Sequence, residues 1–263
     1  MVSVLPLFLL LIGLDPSGAA PLPGEAIVRA AYNKTGGKWF HAAQWIQRTT
    51  MQGEQRVETW YVTLQPPGLM RVDVAPGVTG RAIIYRNDSS YNYGKGTLRT
   101  AGPEVQPLFV LLHDLHSAKP EKTIAMLKTF GFDLAKTHEQ KYEGATVIVV
   151  GALAGDSTSN QFWLDKQKMV LVRLIEQNGA NPRMPLDARI SGYSKAGPGW
   201  LEQTVKMYLG GQLTTIQEYT GVVIDPKMEA TLFDPRPYRL PQWVKGAKDI
   251  FGGVPNMALP GGH

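Results

Sequence analysis

The chain has no cysteine, which excludes disulfides, thiolate metal sites, a cysteine nucleophile and the lipid-modified cysteine that would tether an exported chain to a membrane. It also lacks a Gly-x-Ser-x-Gly elbow, a Walker-type phosphate loop and a Gly-x-Gly-x-x-Gly between strand and helix. Charged residues are scarce, at 19% of 263 positions, below the usual quarter, so extensive disorder is not expected. The net charge of +5 comes from scattered Lys and Arg, without the basic stripe of a nucleic-acid binder. Histidine is equally sparse, with five in all.

His113 and His116 stand three residues apart, a spacing that shares one helix face. Zinc needs at least a third ligand, and His41, His138 and His263 stand beside no second histidine or paired carboxylate. No metal and no cofactor are expected, and the pair reads as surface or lid histidines. No two carboxylates stand out as a raised acid beside a lowered base, so the chain is read as a non-enzyme. A catalytic reading would need a buried polar cluster, with His113, Asp114 and His116 the place to look.

What the sequence has in quantity is strand. Residues 55–94 run strand, turn, strand with almost no slack. Residues 56–64 are rich in β-branched and aromatic side chains, which suit a half-buried pleated surface. Gln65-Pro66-Pro67-Gly68 breaks the ladder. In residues 69–74, Met70, Val72 and Val74 alternate with Arg71 and Asp73, which implies one apolar and one polar face. Connections this short join antiparallel neighbours. Further strands are expected at residues 39–51, 132–141, 145–150, 160–165, 169–177, 186–193, 200–208 and 213–223. That makes roughly ten to twelve strands at the spacing of a sandwich or barrel.

Helices are few. Residues 25–34 carry Ile27, Ala30 and Ala31 at helical spacing before Thr35-Gly36-Gly37. Residues 107–115 form an apolar run opened by Pro107, and residues 121–130 form a second helix with Ile124 and Leu127 inward. These two short helices need an apolar surface to cover, and the open side of the sheet supplies one. Residues 225–233 are expected to make one or two helical turns.

The ends carry their own signals. Residues 2–14 are apolar and too short to span a bilayer comfortably. Asp15-Pro16-Ser17-Gly18 breaks that run, and Gly18-Ala19-Ala20 offers small residues for cleavage, so residues 1–20 read as a signal for export, although no Lys or Arg precedes the apolar run. Residues 236–263 are rich in proline and glycine and read as a partly ordered tail, with Trp243, Val244, Ile250 and Phe251 available to pack over the sheet or a partner. Aromatic residues on the expected strands fit either an ordinary core or the wall of a lipid-sized cavity.

The order of elements, together with Trp60-Tyr61-Val62-Thr63-Leu64-Gln65-Pro66-Pro67-Gly68-Leu69-Met70-Arg71-Val72, Ile83-Ile84-Tyr85-Arg86-Asn87-Asp88, Phe162-Trp163-Leu164-Asp165-Lys166 with Leu171-Val172-Arg173, and Thr231-Leu232-Phe233-Asp234-Pro235, resembles the LolA superfamily of outer-membrane lipoprotein-sorting carriers over most of residues 24–235. The resemblance implies a mainly β fold, an antiparallel incomplete barrel or half-pipe closed by a short helical lid, with an N-terminal helix and an apolar interior that takes acyl chains.

It further implies a soluble periplasmic monomer that uses no cofactor and receives lipoprotein or lipid acyl chains from an inner-membrane donor for an outer-membrane acceptor. The expected cavity residues are Trp60, Val62, Leu64, Met70, Val72 and Val74. The expected lid residues are Leu108, Leu111, Leu112, Leu127 and Phe130. Carriers of this kind hold the lid with an arginine before the proline of the second-to-third strand connection. Here that latch position is Gln65, a weaker donor, which sets the cargo apart. The expected division is a signal at 1–20, the lipid- or lipoprotein-binding domain at 21–235 and the tail at 236–263. The alternative is a non-catalytic sensory or scaffold domain of the same fold that binds a protein partner, in which residues 243–251 fill the cavity from within.

Overall fold

In the computed structural model, which describes residues 21–36, 38–177, 181 and 184–252, helix α1 (Gly24–Lys34) leads into β1 (Ala43–Met51), β2 (Arg56–Gln65), β3 (Leu69–Val74), β4 (Arg81–Arg86), β5 (Ser89–Gly94) and β6 (Thr97–Pro103). Helix α2 (Pro107–Phe109) follows, continues as a π-helical segment (Val110–Asp114) and is succeeded by α3 (Pro120–Thr129). The second run of strands is β7 (Thr137–Tyr142), β8 (Ala145–Val150), β9 (Gln161–Asp165), β10 (Leu171–Glu176), β11 (Leu186–Ser191), β12 (Ser194–Ala196), β13 (Gly199–Leu201), β14 (Thr204–Leu209) and β15 (Gln212–Ile224). The expected signal at residues 1–20 lies outside the described residues. No described helix is long and apolar enough to cross a membrane.

Thirteen of these strands form one sheet in the order β6-β5-β4-β3-β2-β1-β15-β14-β11-β10-β9-β8-β7, and β12 pairs with β13 in a separate hairpin. Neighbours are antiparallel throughout. The tight hairpins have a local cause. Asn87-Asp88, Lys95-Gly96, Glu143-Gly144 and Gly210-Gly211 all hold positive φ at both positions, the two-residue turn whose twist matches that of the flanking strands.

The sheet does not close, since β6 and β7 are its two edges. They are also consecutive strands in the chain, joined by the segment that carries α2 and α3. A connection between opposite edges of a curled sheet must cross its open side, and that crossing puts the lid over the concave face. One half of that face is filled. Ile27 and Val28 of α1 and Leu111, Leu115 and Leu127 of the lid segment pack on Val150, Phe162, Leu164, Leu174 and Ile190. The other half, built on β1, β2 and β3, carries Trp45, Val62, Leu64 and Val72.

The convex face is covered as well. Leu232 and Phe233 pack on Ala82, Ile84 and Tyr93, and Leu240, Trp243, Val244 and Ala247 pack around Tyr61 and Ala75. Residues 228–252 therefore strap the outside of β2 to β5, and residues 243–251 stay out of the concave side. At Gly77 the strap comes so close that an added Cβ would lie 2.7 Å from the Val244 carbonyl oxygen, so a side chain there would push it off. Beyond the strap, long side chains cover the sheet. Arg173 lies 4.5 Å from the centroid of Trp163 and is held by Asp187 at 2.9 Å.

Beneath the strap, alternation misleads. Arg71 and Asp73 face away from the cavity as expected, yet they are 1% and 2% exposed. The guanidinium binds Asp73 through Nε (2.8 Å) and Nη2 (2.9 Å) and donates to the carbonyl oxygens of Leu232 (3.0 Å) and Arg239 (2.8 Å), with the Tyr238 ring 5.4 Å away. One planar fork thus answers a buried carboxylate and two strap carbonyls together. The strap is also held by Thr59 Oγ1 on Asp249 at 2.7 Å, by the Tyr61 hydroxyl on the Lys248 carbonyl at 3.2 Å and by the Tyr93 hydroxyl on the Pro235 carbonyl.

Five stretches depart from the sequence expectation. The main sheet has thirteen strands rather than ten to twelve, because residues 97–103 form an edge strand that their exposed, weakly apolar composition conceals. Trp39, Phe40, Phe132 and Leu134 precede their strands and are buried in loops. Residues 200–208 are not one strand but are broken at Glu202 and Gln203. Residues 225–233 form no helix. Asp225 instead accepts the amides of His41 (2.7 Å) and Ala42 (2.9 Å), and the chain turns only at 230–233.

Removing the fork tests the strap. Arg71→Ala leaves a buried carboxylate and two carbonyls without their donor, and urea unfolding should show a loss of about 3–5 kcal/mol. Limited proteolysis should then cut within residues 228–252. Arg71→Leu with Asp73→Leu should recover part of the loss. A single variant as stable and protease-resistant as wild type would show that the strap holds without it.

Candidate functional site

The concave face is built by register. Trp60 pairs with Val74, Val62 with Val72 and Leu64 with Met70 across β2 and β3, and Trp45 of β1 pairs with Val62. Alternation therefore directs these side chains to one side. Between them and the lid lies a cavity of about 100 Å³. Trp45, Trp60, Val62, Met70, Val72 and Tyr219 form its sheet side; Leu108, Phe109, Leu112 and His113 come from the lid; Gln47, Gln106, Met207 and Gln217 complete the wall. No Lys, Arg, Asp or Glu lines it. A larger hollow, about 500 Å³, lies outside the lid beside Pro21, Leu22 and edge strand β7. Its wall mixes Pro21, Leu22, Ile27 and Ile148 with Thr137, His138, Glu139 and Lys166.

Of the cavity residues expected from sequence, Trp60, Val62, Met70 and Val72 line the space. Leu64 is fully buried in the packing beside it, and Val74 is buried opposite Trp60. Of the lid residues, Leu108 and Leu112 face the cavity. Leu111, Leu127 and Phe130 pack instead into the filled half of the face, where α1 meets β8 to β10. Sequence periodicity alone could not divide the lid between these two duties.

The lid is fastened at a different atom from the one expected. Gln65 ends β2 opposite Leu69 and lines an outer hollow with Arg86 and Asp234. The contact to the lid comes from the Gly68 amide, which donates to Asp114 Oδ1 at 2.9 Å. Phe109 stacks on Tyr85 at 6.1 Å beside it, and Lys122 reaches Asp88 at 3.3 Å on the outside. Burial raises the Asp114 carboxyl to about 6, against the pull of the Gly68 amide and Lys122, while Asp88 adds to the rise. Asp114 ends the π-helical segment, a local unwinding common where a helix does more than pack.

Both lid histidines are buried, not on the surface. His116 is stacked on Trp39 with centroids 4.1 Å apart, its Nδ1 3.0 Å from the Ala31 carbonyl oxygen; burial lowers it to about 4. His113 packs edge-on to Phe109, and burial lowers it to about 3. Its Nε2 lies 3.7 Å from Oε1 of Glu202. Glu202 is 1% exposed; burial raises its carboxyl to about 7, against its own amide and a hydrogen bond from Tyr219. Tyr219 in turn stacks on Trp45 at 4.8 Å. Among the described residues, no cluster could hold a metal ion.

Sequence reasoning missed Glu202 because it sits in the break between β13 and β14, inside a stretch that reads as one strand. The signal that existed was a lone acid flanked by Leu201 and Gln203 amid apolar residues.

The pH dependence of stability follows from these shifts. A carboxyl raised on folding contributes stability that is fully present below its unfolded pKa and lost as pH rises through the folded one, here from about 4.5 to about 7 for Glu202. His113 and His116, lowered from 6.5, act in the opposite sense as pH falls below that value. Glu202→Gln should gain on wild type as pH rises from 5 to 8, by on the order of 2–3 kcal/mol in denaturant unfolding. Parallel stability curves would mean that Glu202 ionises freely in the fold.

No family model and no curated protein matches the chain. Solved structures do. A putative outer membrane lipoprotein-sorting protein domain from Vibrio parahaemolyticus superposes with TM-score 0.54 at 13% identity, covering 80% of this chain and 96% of that one. A DUF1329 family protein from Desulfovibrio piger gives TM-score 0.54 at 12% identity, covering 82% of this chain and 99% of the other. A LolA superfamily protein from Nitrosomonas europaea gives TM-score 0.48 at 10% identity, covering 81% and 98%. At such identities the likeness speaks of fold alone, and this chain shares the fold of the first two, seen here as an open antiparallel sheet with a helical lid across its concave side.

Proposed function

We propose that this protein is a non-catalytic periplasmic carrier that shields acyl chains of lipids or lipoproteins between the concave sheet and the lid, exported by residues 1–20 and working as a monomer between an inner-membrane donor and an outer-membrane acceptor. The observation that carries the reading is the cavity wall, apolar and aromatic with no charged side chain. The likeness to a lipoprotein-sorting domain supports it. The scaffold alternative depends on residues 243–251 filling the cavity from within. Trp243 and Val244 lie on the convex side with Tyr61, which favours a cavity kept for a ligand.

About 100 Å³ is the share of liquid volume of roughly three waters, far below the ~300–1,000 Å³ of ordinary ligand pockets. An acyl chain therefore enters by displacing the lid, and the closed form is the unloaded state. Loading works only if closed and open states differ by a few kcal/mol, within reach of the ligand's own binding energy. The Gly68–Asp114 bond is a restraint of that size.

Native mass spectrometry with lipid extraction on residues 21–263, purified gently from a bacterial periplasm, tests the reading. Bound phospholipid or acylated peptide is expected in wild type and should be absent from Val72→Asp, which puts a charge in the wall. A wild-type chain that is empty and takes up no fluorescent fatty-acid probe would overturn the carrier.

The latch makes a separate prediction. Raising of the Asp114 carboxyl on burial means that closure is strongest where the group is protonated and weakens as pH rises through about 6. Asp114→Asn keeps an acceptor for Gly68 without the charge. At pH 8 it should take up a fatty-acid probe about tenfold more slowly than wild type, and at pH 4.5 the two should match in stopped-flow traces. Equal rates at pH 8 would remove Asp114 from lid control.

A further inference from the structure

One carboxyl oxygen under the lid is left over. Glu202 Oε1 is buried and makes no hydrogen bond. The His113 Nε2 stops 3.7 Å short of that oxygen, beyond hydrogen-bond reach. Buried polar atoms are normally satisfied, and an exception points to a missing partner.

The pair stands beside the cavity. His113 lines it, as does Tyr219, which holds the same carboxyl from the other side. His113 belongs to the lid, whereas Glu202 and Tyr219 belong to the sheet and its loops. A lid movement that admits a chain would therefore part His113 from Glu202.

Resting on the carrier reading above, we propose that Glu202 and His113 form the polar anchor of the cavity, binding an uncharged hydroxyl or amide carried by the acyl ligand. A hydroxyl oxygen about 3 Å from both atoms would donate to Glu202 Oε1 and accept from the His113 ring N–H. The wall carries no cation to receive a carboxylate or phosphate. A cationic amine would force an ion pair into a fully buried position, where desolvation offsets the attraction. The anchor thus selects neutral-headed amphiphiles, such as long-chain alcohols, acylglycerols or N-acyl amides, and leaves charged groups outside.

The test is isothermal titration of the mature chain with four probes of one length: dodecanol, dodecyl methyl ether, dodecylamine and dodecanoate. Dodecanol should bind about tenfold tighter than the ether, which accepts but cannot donate. Glu202→Leu should abolish that preference, and Glu202→Gln, whose amide oxygen still accepts, should keep it. Should the leucine variant fail to fold, His113→Phe gives the same readout from the lid side.

Equal affinity for alcohol and ether in wild type would overturn the anchor and leave water as the partner of Glu202, with the carrier intact. Tightest binding of dodecylamine would overturn it in favour of an ion pair. Failure of all four to bind would sink the carrier reading itself.

Discussion

The constraint on which the rest of the structure depends is an unclosed sheet apolar on both faces. Thirteen antiparallel strands curl without meeting, so β6 and β7 remain as edges, and neither face can be left to water. The concave face is covered because the chain must travel from one edge strand to the next across the opening, and that crossing segment is the lid. The convex face is covered because residues after β15 turn back along it and pack on Tyr61, Ile84 and Tyr93. Cavity and cover thus come from one chain path. The hydrophobic effect supplies the drive, being non-directional and proportional to apolar area.

Direction comes from a few buried polar contacts. Arg71 with Asp73 gives the strap its place through two backbone carbonyls. The lid is held at its margins by the Gly68 amide on Asp114, Lys122 on Asp88 and His116 beside the Ala31 carbonyl, and over the cavity by a histidine–glutamate approach that falls short of a hydrogen bond. The contrast is physical. A buried hydrogen-bonded network rigidifies, whereas the lid, beside its restraints, covers an unfilled polar need at Glu202.

Much of the fold could be read from the residues. The turn chemistry at Asn87-Asp88 and Glu143-Gly144 marks antiparallel hairpins, and of the alternating Met70, Val72 and Val74 the first two line the cavity. The reading went astray where alternation stops being informative. Arg71 and Asp73 read as solvent-facing because a polar side chain at a strand's outer positions usually is. Only the strap, more than 150 residues away in sequence for Leu232, makes that face an interior. Edge strand β6 was missed because an exposed edge needs no apolar pattern. Glu202 was hidden by a break in a segment of unbroken strand composition.

By itself the sequence determined the antiparallel class, the helical insertion, the absence of cysteine chemistry and the residues that turn inward from β2 and β3, because local backbone preference and side-chain period act over a few residues. Only the tertiary structure decided which half of the concave face stays open, that Leu108 and Leu112 roof the cavity while Leu111 and Leu127 fill the core, that Gly68 and not Gln65 meets the lid, and that Glu202 lies beneath His113. Those facts depend on which distant strands become neighbours. Burial, and with it the ionisation of a carboxyl, is a property of that neighbourhood and not of the residue.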